Sequence, residues 1–390
     1  MRDGWTETAL GDIAEVLDRL RKPISGAERE KRIGDVPYYG ATGLAGWIDK
    51  PIFDEELVLL GEDAIDFLNP DVHKAYLISG PSWVNNHAHV LRAKREKVIS
   101  YFLMEALNAV DYSQFVAFGT RSKLTQGAMM GISVRVPPLD EQKRIVDVVS
   151  SIDAYIDALQ QQADSARTAR NAVLHELLSN TGDDWTETTL GDALVHLTDG
   201  SHFSPETLSV GFPYVTVRDV RNGLIDLDGS AKISEESFIE LKKNGCAPLP
   251  GDVLFSKDGT VGRTAQVTTE TPFVVLSSLA ILRPNLEILS SEFLTMTITS
   301  NDFQDMATGS KTGLAIKRVV LKVLRAFPIM LPPLAEQKQI VEIVSSMDVL
   351  IQSTEEAVMN AKALRSGVLS DLLSGDHEIP TSYDSLVGAA

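Results

Sequence analysis

The sequence predicts an α+β fold in which two mixed α/β domains are separated by two long antiparallel helices that pair as a coiled coil. The whole forms a pseudo-twofold internal repeat. Three observations carry this expectation. Trp5-Thr6-Glu7-Thr8-Ala9-Leu10-Gly11-Asp12 returns as Trp185-Thr186-Glu187-Thr188-Thr189-Leu190-Gly191-Asp192, 180 positions later. Pro137-Pro138-Leu139-Asp140-Glu141-Gln142-Lys143 returns as Pro332-Pro333-Leu334-Ala335-Glu336-Gln337-Lys338, 195 positions later. The edges of the repeat therefore match while its interior differs by 15 residues, the mark of a duplicated domain pair rather than of a short solenoid unit. Third, each Pro-Pro box opens a long heptad pattern, whereas the stretches before the boxes are punctuated by Gly, Pro and aromatic residues.

In chain order, 1–136 reads as a first globular domain and 137–180 as a helical region. Residues 181–331 form a second globular domain, 332–376 a second helical region, and 377–390 a small, polar, poorly ordered tail. Leu57-Val58-Leu59-Leu60, Phe212-Pro213-Tyr214-Val215-Thr216-Val217 and Phe273-Val274-Val275-Leu276 read as strands, and 99–109 and 290–301 as helices. Strand order is not legible. In the first helical region, apolar residues fall at Ile145, Ile152, Leu159, Ala166 and Val173. A second row holds Val149, Ile156, Ala163 and Leu177, broken by Arg170. The second region repeats this with Ile340, Met347, Thr354, Ala361 and Val368, beside Val344, Ile351, Val358 and Leu372, broken by Arg365. Spacing of seven with an offset of four is a coiled-coil seam. A parallel pair would require the intervening domain to span the full helix, about 60 Å at 1.5 Å per residue. An antiparallel pair follows more simply; the alternative is that each helix packs only on its own domain.

The 390 residues suffice for two or three domains with their own cores. The single cysteine, Cys246, excludes an internal disulfide and fits a reducing, cytoplasmic setting. No apolar leader opens the chain, and no apolar run approaches the roughly 20 residues of a membrane span. The formal net charge is −18. By segment, 1–136 and 137–180 each carry −3, and 181–331 and 332–390 each carry −6, so any nucleic-acid surface is local.

Catalytic and metal signatures are sparse. No G-x-x-x-x-G-K-[ST] loop is present, and the glycines of 40–46 have the wrong spacing for a dinucleotide fingerprint. His87 and His89, at i and i+2, would share a strand face, but without a third ligand they read as hydrogen-bonded or DNA-facing side chains rather than zinc ligands. Cys246 lacks a partner base and reads as structural. No metal is expected. What stands out is a set of polar loops. The first half offers Tyr38, Tyr39 and Thr42, then Asn85, Asn86 and His87, then Thr120, Arg121, Ser122 and Lys123. The second offers Ser201, His202, Arg218, Arg221, Ser256, Lys257, Thr260 and Arg263, then Ser310, Lys311 and Thr312. Hydroxyls, amides and single basic groups beside glycine are what reach base edges and phosphates. Plain surface turns are the alternative for any one loop.

These features together resemble the specificity subunit of type I restriction–modification systems. The resemblance rests on the Trp-x-x-x-x-Leu-Gly-Asp openings, Pro37-Tyr38-Tyr39-Gly40-Ala41-Thr42-Gly43, Leu60-Gly61-Glu62-Asp63, Gly251-Asp252-Val253-Leu254-Phe255-Ser256 and Gly259-Thr260-Val261-Gly262-Arg263. It rests equally on the Pro-Pro-Leu-x-Glu-Gln-Lys boxes, followed by helices ending in Leu-Leu-Ser, and it covers nearly the whole chain. It implies two target-recognition domains, each reading half of a bipartite, asymmetric site in double-stranded DNA. It also implies helices that fix the spacer and dock two methyltransferase subunits, which carry S-adenosylmethionine; restriction subunits added to that complex cleave DNA. The chain itself would hold no cofactor and catalyse nothing. A specificity module of another methylation or phage-defence system, an enzyme built on Cys246 or on His87 and His89, and a helical adaptor without base readout are the competing readings.

Overall fold

The computed structural model describes residues 4–116, 122–180, 182–221, 223–309 and 318–387. The chain divides into two compact units, Met1–Leu159 with Ala357–Ala390, and Gln160–Glu356. Each unit therefore takes one globular segment and half of each long helix.

The first unit explains why the repeat's edges are its most constant parts. The Trp box forms the strand Thr6–Ala9, which pairs antiparallel with Ser133–Val136, immediately before Pro137-Pro138. The two ends of the globular segment are thus hydrogen-bonded to each other. Gly11 follows at a close approach, where a Cβ would lie 2.4 Å from Met130 Cε, so any side chain there would have to displace the end of Met130. Inside this clasp lie two four-stranded sheets. One has the order Ala14–Val16, Ala88–Ala93, Leu57–Gly61, Ala75–Ile78. The other has the order Gly43–Ile48, Val36–Gly40, Pro81–Val84, Phe53–Asp54, with Val36–Gly40 and Pro81–Val84 parallel. Leu57–Gly61 is buried at every position, which explains its unbroken apolar run. The helix Ser100–Asn108 covers the first sheet through Phe102, Leu103 and Leu107.

The second unit repeats the plan. Thr186–Thr189 pairs with Pro328–Leu331, and Gly191 stands where a Cβ would meet Arg325 Cγ at 2.1 Å. The larger sheet has the order Leu194–Asp199, Leu279–Pro284, Val253–Ser256, Thr264–Gln266. The smaller has the order Ala231–Ile233, Phe212–Val215, Val274–Val275, again with one parallel pair. Ser291–Thr299 takes the covering-helix role. The strands and helices expected from the sequence are present, although Phe212–Val215 is followed by a 3-10 turn at Val217–Asp219 and the run at 273–276 is a named strand only over Val274–Val275, with Leu276 in an isolated bridge to Ser201.

The long helices run Leu139–Ser179 and Leu334–Ser374, 41 residues each. Within the first unit, Ile145 and Val149 share a core with Leu372, and Arg365 reaches Asp153, so the two helix halves are antiparallel. Within the second, Leu174 shares a core with Ile340 and Val344, and Arg170 reaches Asp348, again antiparallel. The arginines that break the seam are therefore its cross-links. Leu174, rather than Val173, is the fully packed residue of its turn.

The segment after Ser374 departs from the expected loose tail. Ile379 is buried in the first unit's core, Tyr383 packs against it, and Arg144 Nη1 meets Asp384 Oδ2 at 3.1 Å. A short helix covers Tyr383–Val387. One isoleucine and one tyrosine suffice to seat a segment whose composition is otherwise polar.

Candidate nucleic-acid interface

In each unit the polar loops are tied to one another by hydrogen bonds and ion pairs. In the first unit, Asn85 N donates to Tyr39 O at 3.0 Å, and His87 N to Asn85 Oδ1 at 2.8 Å. Asp63 pairs with His87 Nδ1 at 2.6 Å and bridges to Lys123. The loops at 38–42, 85–87 and 122–123 are thus neighbours. In the second unit, Arg263 Nη1 donates to Val217 O at 2.8 Å, which anchors the turn carrying Arg218 and Arg221. Lys257 Nζ meets Asp199 Oδ2 at 3.1 Å, and His202 Nε2 lies 3.3 Å from Asp199 Oδ1.

The candidate residues fall into two groups. Thr42, Asn86, His87, Lys123, His202, Arg218, Arg221 and Thr260 are exposed, with Tyr39, Ser122 and Arg263 half-buried. Tyr38, Asn85, Ser201, Ser256 and Lys257 are buried and face internal partners. Ser256 Oγ donates to Thr260 O at 2.6 Å and accepts from Arg263 N at 2.7 Å. Ser201 Oγ is bonded to Phe203 O. These five shape the loops from within. Thr120, Arg121, Ser310, Lys311 and Thr312 lie outside the described residues.

Beneath the first unit's loops sits an ionic network that no sequence motif announces. Asp18 accepts from His89 Nδ1 at 2.6 Å, and Arg21 joins Asp18 at 3.1 Å to Glu62 at 2.7 Å. Lys123 reaches Glu62 at 2.9 Å, and His89 Nε2 faces Leu124 O at 2.9 Å. Burial pushes the Glu62 carboxyl up, but the hydrogen bonds from Lys123 and Arg21 outweigh it and hold the group below its usual range. Asp18, Glu62 and His89 bring ligand atoms within 4.8 Å of one another, yet Arg21 and Lys123 already neutralise the carboxylates. His87 precedes its strand and faces Asp63, while His89 faces inward; each histidine is hydrogen-bonded, and they do not converge. Cys246 is buried, and burial raises its thiol.

The second unit builds the same place differently. Leu124 N donates to Glu62 O in the first unit, and Val319 N to Lys257 O in the second, 195 positions on. Lys257 is thus the counterpart of Glu62. Strand pairing makes Asp199 the counterpart of Asp18, and Ala280 that of His89. The frame repeats while the chemistry between the sheets changes.

The profile of the type I restriction modification DNA specificity domain matches twice, at residues 2–166 and 182–360. The chain belongs to this family. Among its relatives, a specificity subunit assigned to a type I restriction enzyme of Haemophilus influenzae is 27% identical over 90% of this chain and 89% of its own. The EcoBI specificity subunit of Escherichia coli is 23% identical over 96% and 85%. The type I S subunit of M. genitalium superposes with a TM-score of 0.56 at 14% identity, covering 94% of this chain and 96% of that one. A chain from a type I R-M assembly, studied for complex assembly and conformational transition, gives 0.60 at 17%, covering 97% and 99%. These two likenesses speak for the fold. As a type I specificity subunit, the chain carries the domain in two copies whose loop chemistry differs. Among the described residues, no helix is long and apolar enough to cross a membrane.

Proposed function

We propose that this specificity subunit reads a two-part, asymmetric site in double-stranded DNA. Recognition domains 1–136 and 181–331 each take one half-site, and helical regions 137–180 and 332–376 set the spacer. The helices also dock two methyltransferase subunits, which supply S-adenosylmethionine; restriction subunits join that complex for cleavage. The chain itself contributes recognition and no catalysis, and works in the cytoplasm.

The observation that carries this reading is the pairing of constant frame with variable interior. The same clasp and the same buried glutamine, Gln142 or Gln337, recur in both units, while Glu62 and His89 give way to Lys257 and Ala280. Identical frames suit identical partner subunits; different interiors suit different half-sites. Of the candidate contacts, the exposed Thr42, Asn86, His87, Lys123, His202, Arg218, Arg221 and Thr260 are the proposed readers, with Thr120, Arg121, Ser310, Lys311 and Thr312 proposed alongside them. The buried Tyr38, Asn85, Ser201, Ser256 and Lys257 position them.

The chain's net charge of −18 assigns most phosphate clamping to partners, because phosphate contacts dominate affinity. The isolated chain is therefore expected to bind DNA weakly and with strong salt dependence, and the complex with its methyltransferase tightly. Fluorescence anisotropy across a salt series decides it: equally tight, specific binding by the chain alone overturns the reading.

A further inference from the structure

We infer that the edge strand Gly43–Ile48 and the basic segment 19–32 beside it form a DNA-contact face of the first recognition domain, with Trp47 as its main apolar contact. The inference rests on the proposed DNA-reading function and assigns it residues outside the polar loops.

The strand reads Gly-Leu-Ala-Gly-Trp-Ile and lies at the edge of its sheet. Its inward residues are accounted for: Ile48 is fully buried with Val36, Tyr38 and Trp83. Its outward ones are not. Leu44 pairs with Tyr39 and Trp47 with Pro37, which puts both on the opposite face, and they are 54% and 55% exposed. An uncharged edge strand bearing an exposed leucine and tryptophan is a liability unless something covers it. The second unit shows the protected alternative. There the matching edge, Ala231–Ile233, is short, carries Lys232, and is itself paired with Leu208.

Charge says what covers the first edge. Residues 19–32 hold six basic against two acidic side chains, a net of +4 in a chain of −18. Arg29 ties this segment to the strand: its Nη1 donates to Ala45 O at 3.2 Å, and its guanidinium stands 5.0 Å from the Tyr38 ring centroid. Arg21 turns inward to Glu62, and Arg32 is held by Asp49, stacked over Trp83 at 4.5 Å. Arg19, Lys22 and Lys31 are exposed. The other basic run, 92–97, is arranged differently: Arg92 meets Glu15 and Glu55, and Lys94 and Lys97 donate to the carbonyls of Gly11 and Asp12. Cations flanking an apolar strip match a polyanion whose groove walls are sugar edges and thymine methyls. A protein partner of ordinary composition would have no need of the flanking charge.

The chain supplies its own probe. Trp5, Trp83 and Trp185 are buried at 5%, 4% and 9% exposure, so Trp47 is the accessible tryptophan. The experiment uses the full chain with its methyltransferase, wild type against Trp47→Phe, and a duplex carrying the site mapped by methylation. Adding DNA should shield the difference signal from acrylamide. Trp47→Ala should weaken site binding about tenfold, with Trp47→Phe largely restoring it. Arg19→Ala with Lys22→Ala and Lys31→Ala should weaken binding to all sequences and lower the salt slope by about 3. Unchanged affinity in both variants, or shielding produced by the methyltransferase without DNA, overturns the inference. A wild-type complex that recognises no two-part site would instead overturn the function on which it rests.

Discussion

Lys257 occupies in the second unit the backbone position that Glu62 occupies in the first, so a buried cation replaces a buried anion at the same point of a repeated frame. Each is balanced locally, Glu62 by Arg21 and Lys123, Lys257 by Asp199. The two interiors cannot be exchanged residue by residue, because either swap strands a charge.

Removing the Lys257 ammonium should therefore damage folding more than recognition. Lys257 is 2% exposed. Breaking a buried pair from one side costs about 3–5 kcal/mol. Lys257→Ala is expected to lower the urea midpoint of the second unit, followed by hydrogen exchange. Arg218→Ala with Arg221→Ala, both exposed, should leave that midpoint unchanged and weaken DNA binding by the complex.

Gln142 and Gln337 should matter equally. Each is fully buried. Gln142 accepts from Ile99 N at 2.9 Å and donates to Lys97 O and Pro137 O; Gln337 accepts from Ser290 N at 2.9 Å and donates to Ile288 O and Pro332 O. Alanine at either position leaves buried backbone groups unpaired, a loss of about 3 kcal/mol. Parallel chemical denaturation of Q142A and Q337A should give matching losses in their respective units. A large loss in one and none in the other would show that the frame is not shared in energy as it is in geometry.

The two seam arginines, by contrast, should differ. Arg365 bonds Asp153 and also Glu105 at 2.6 Å, and Glu105 is 3% exposed. Among the described residues Arg170 bonds Asp348 alone, which is 48% exposed. Arg365→Ala should cost about 3–5 kcal/mol. Arg170→Ala should cost about 1 kcal/mol or less. Thermal unfolding of the two variants separates them.

A pH dependence follows from Asp153. Burial raises its carboxyl, but Arg365 and Tyr101 outweigh this and hold it below the usual range. A depressed folded pKa contributes stability above the unfolded value, about 3.9, and that contribution is lost as pH falls through the folded value. The stability gap between wild type and Asp153→Asn should be constant from pH 5 to 7 and shrink below about pH 4. A gap that grows on acidification would contradict the assignment.

Much of the frame was legible because it follows local rules. Heptads, Pro-Pro starts and the Trp boxes depend on near neighbours or on duplication visible in the chain. The interior was not, since Asp18, Glu62 and His89 are brought together by strand order, which periodicity does not encode. Tyr38, Asn85, Ser256 and Lys257 look like surface groups in sequence because polar residues beside glycine read as loops. Ser256 is buried by its own turn, through Thr260 and Arg263, while Asn85 and Lys257 meet partners distant in the chain, Tyr39 and Asp199. The average composition of the tail hides its anchors, since Ile379 and Tyr383 outweigh the polar residues around them.

The central claim, one frame holding two different readers, is tested most directly by mapping methylation in DNA from a host that expresses this chain with its methyltransferase. The map should be made before and after residues 1–136 are replaced by the corresponding domain of another family member. The account predicts a two-part asymmetric site, of which the exchange alters one half and leaves the other half and the spacer length unchanged. A continuous site, or an exchange that alters both halves, would contradict it.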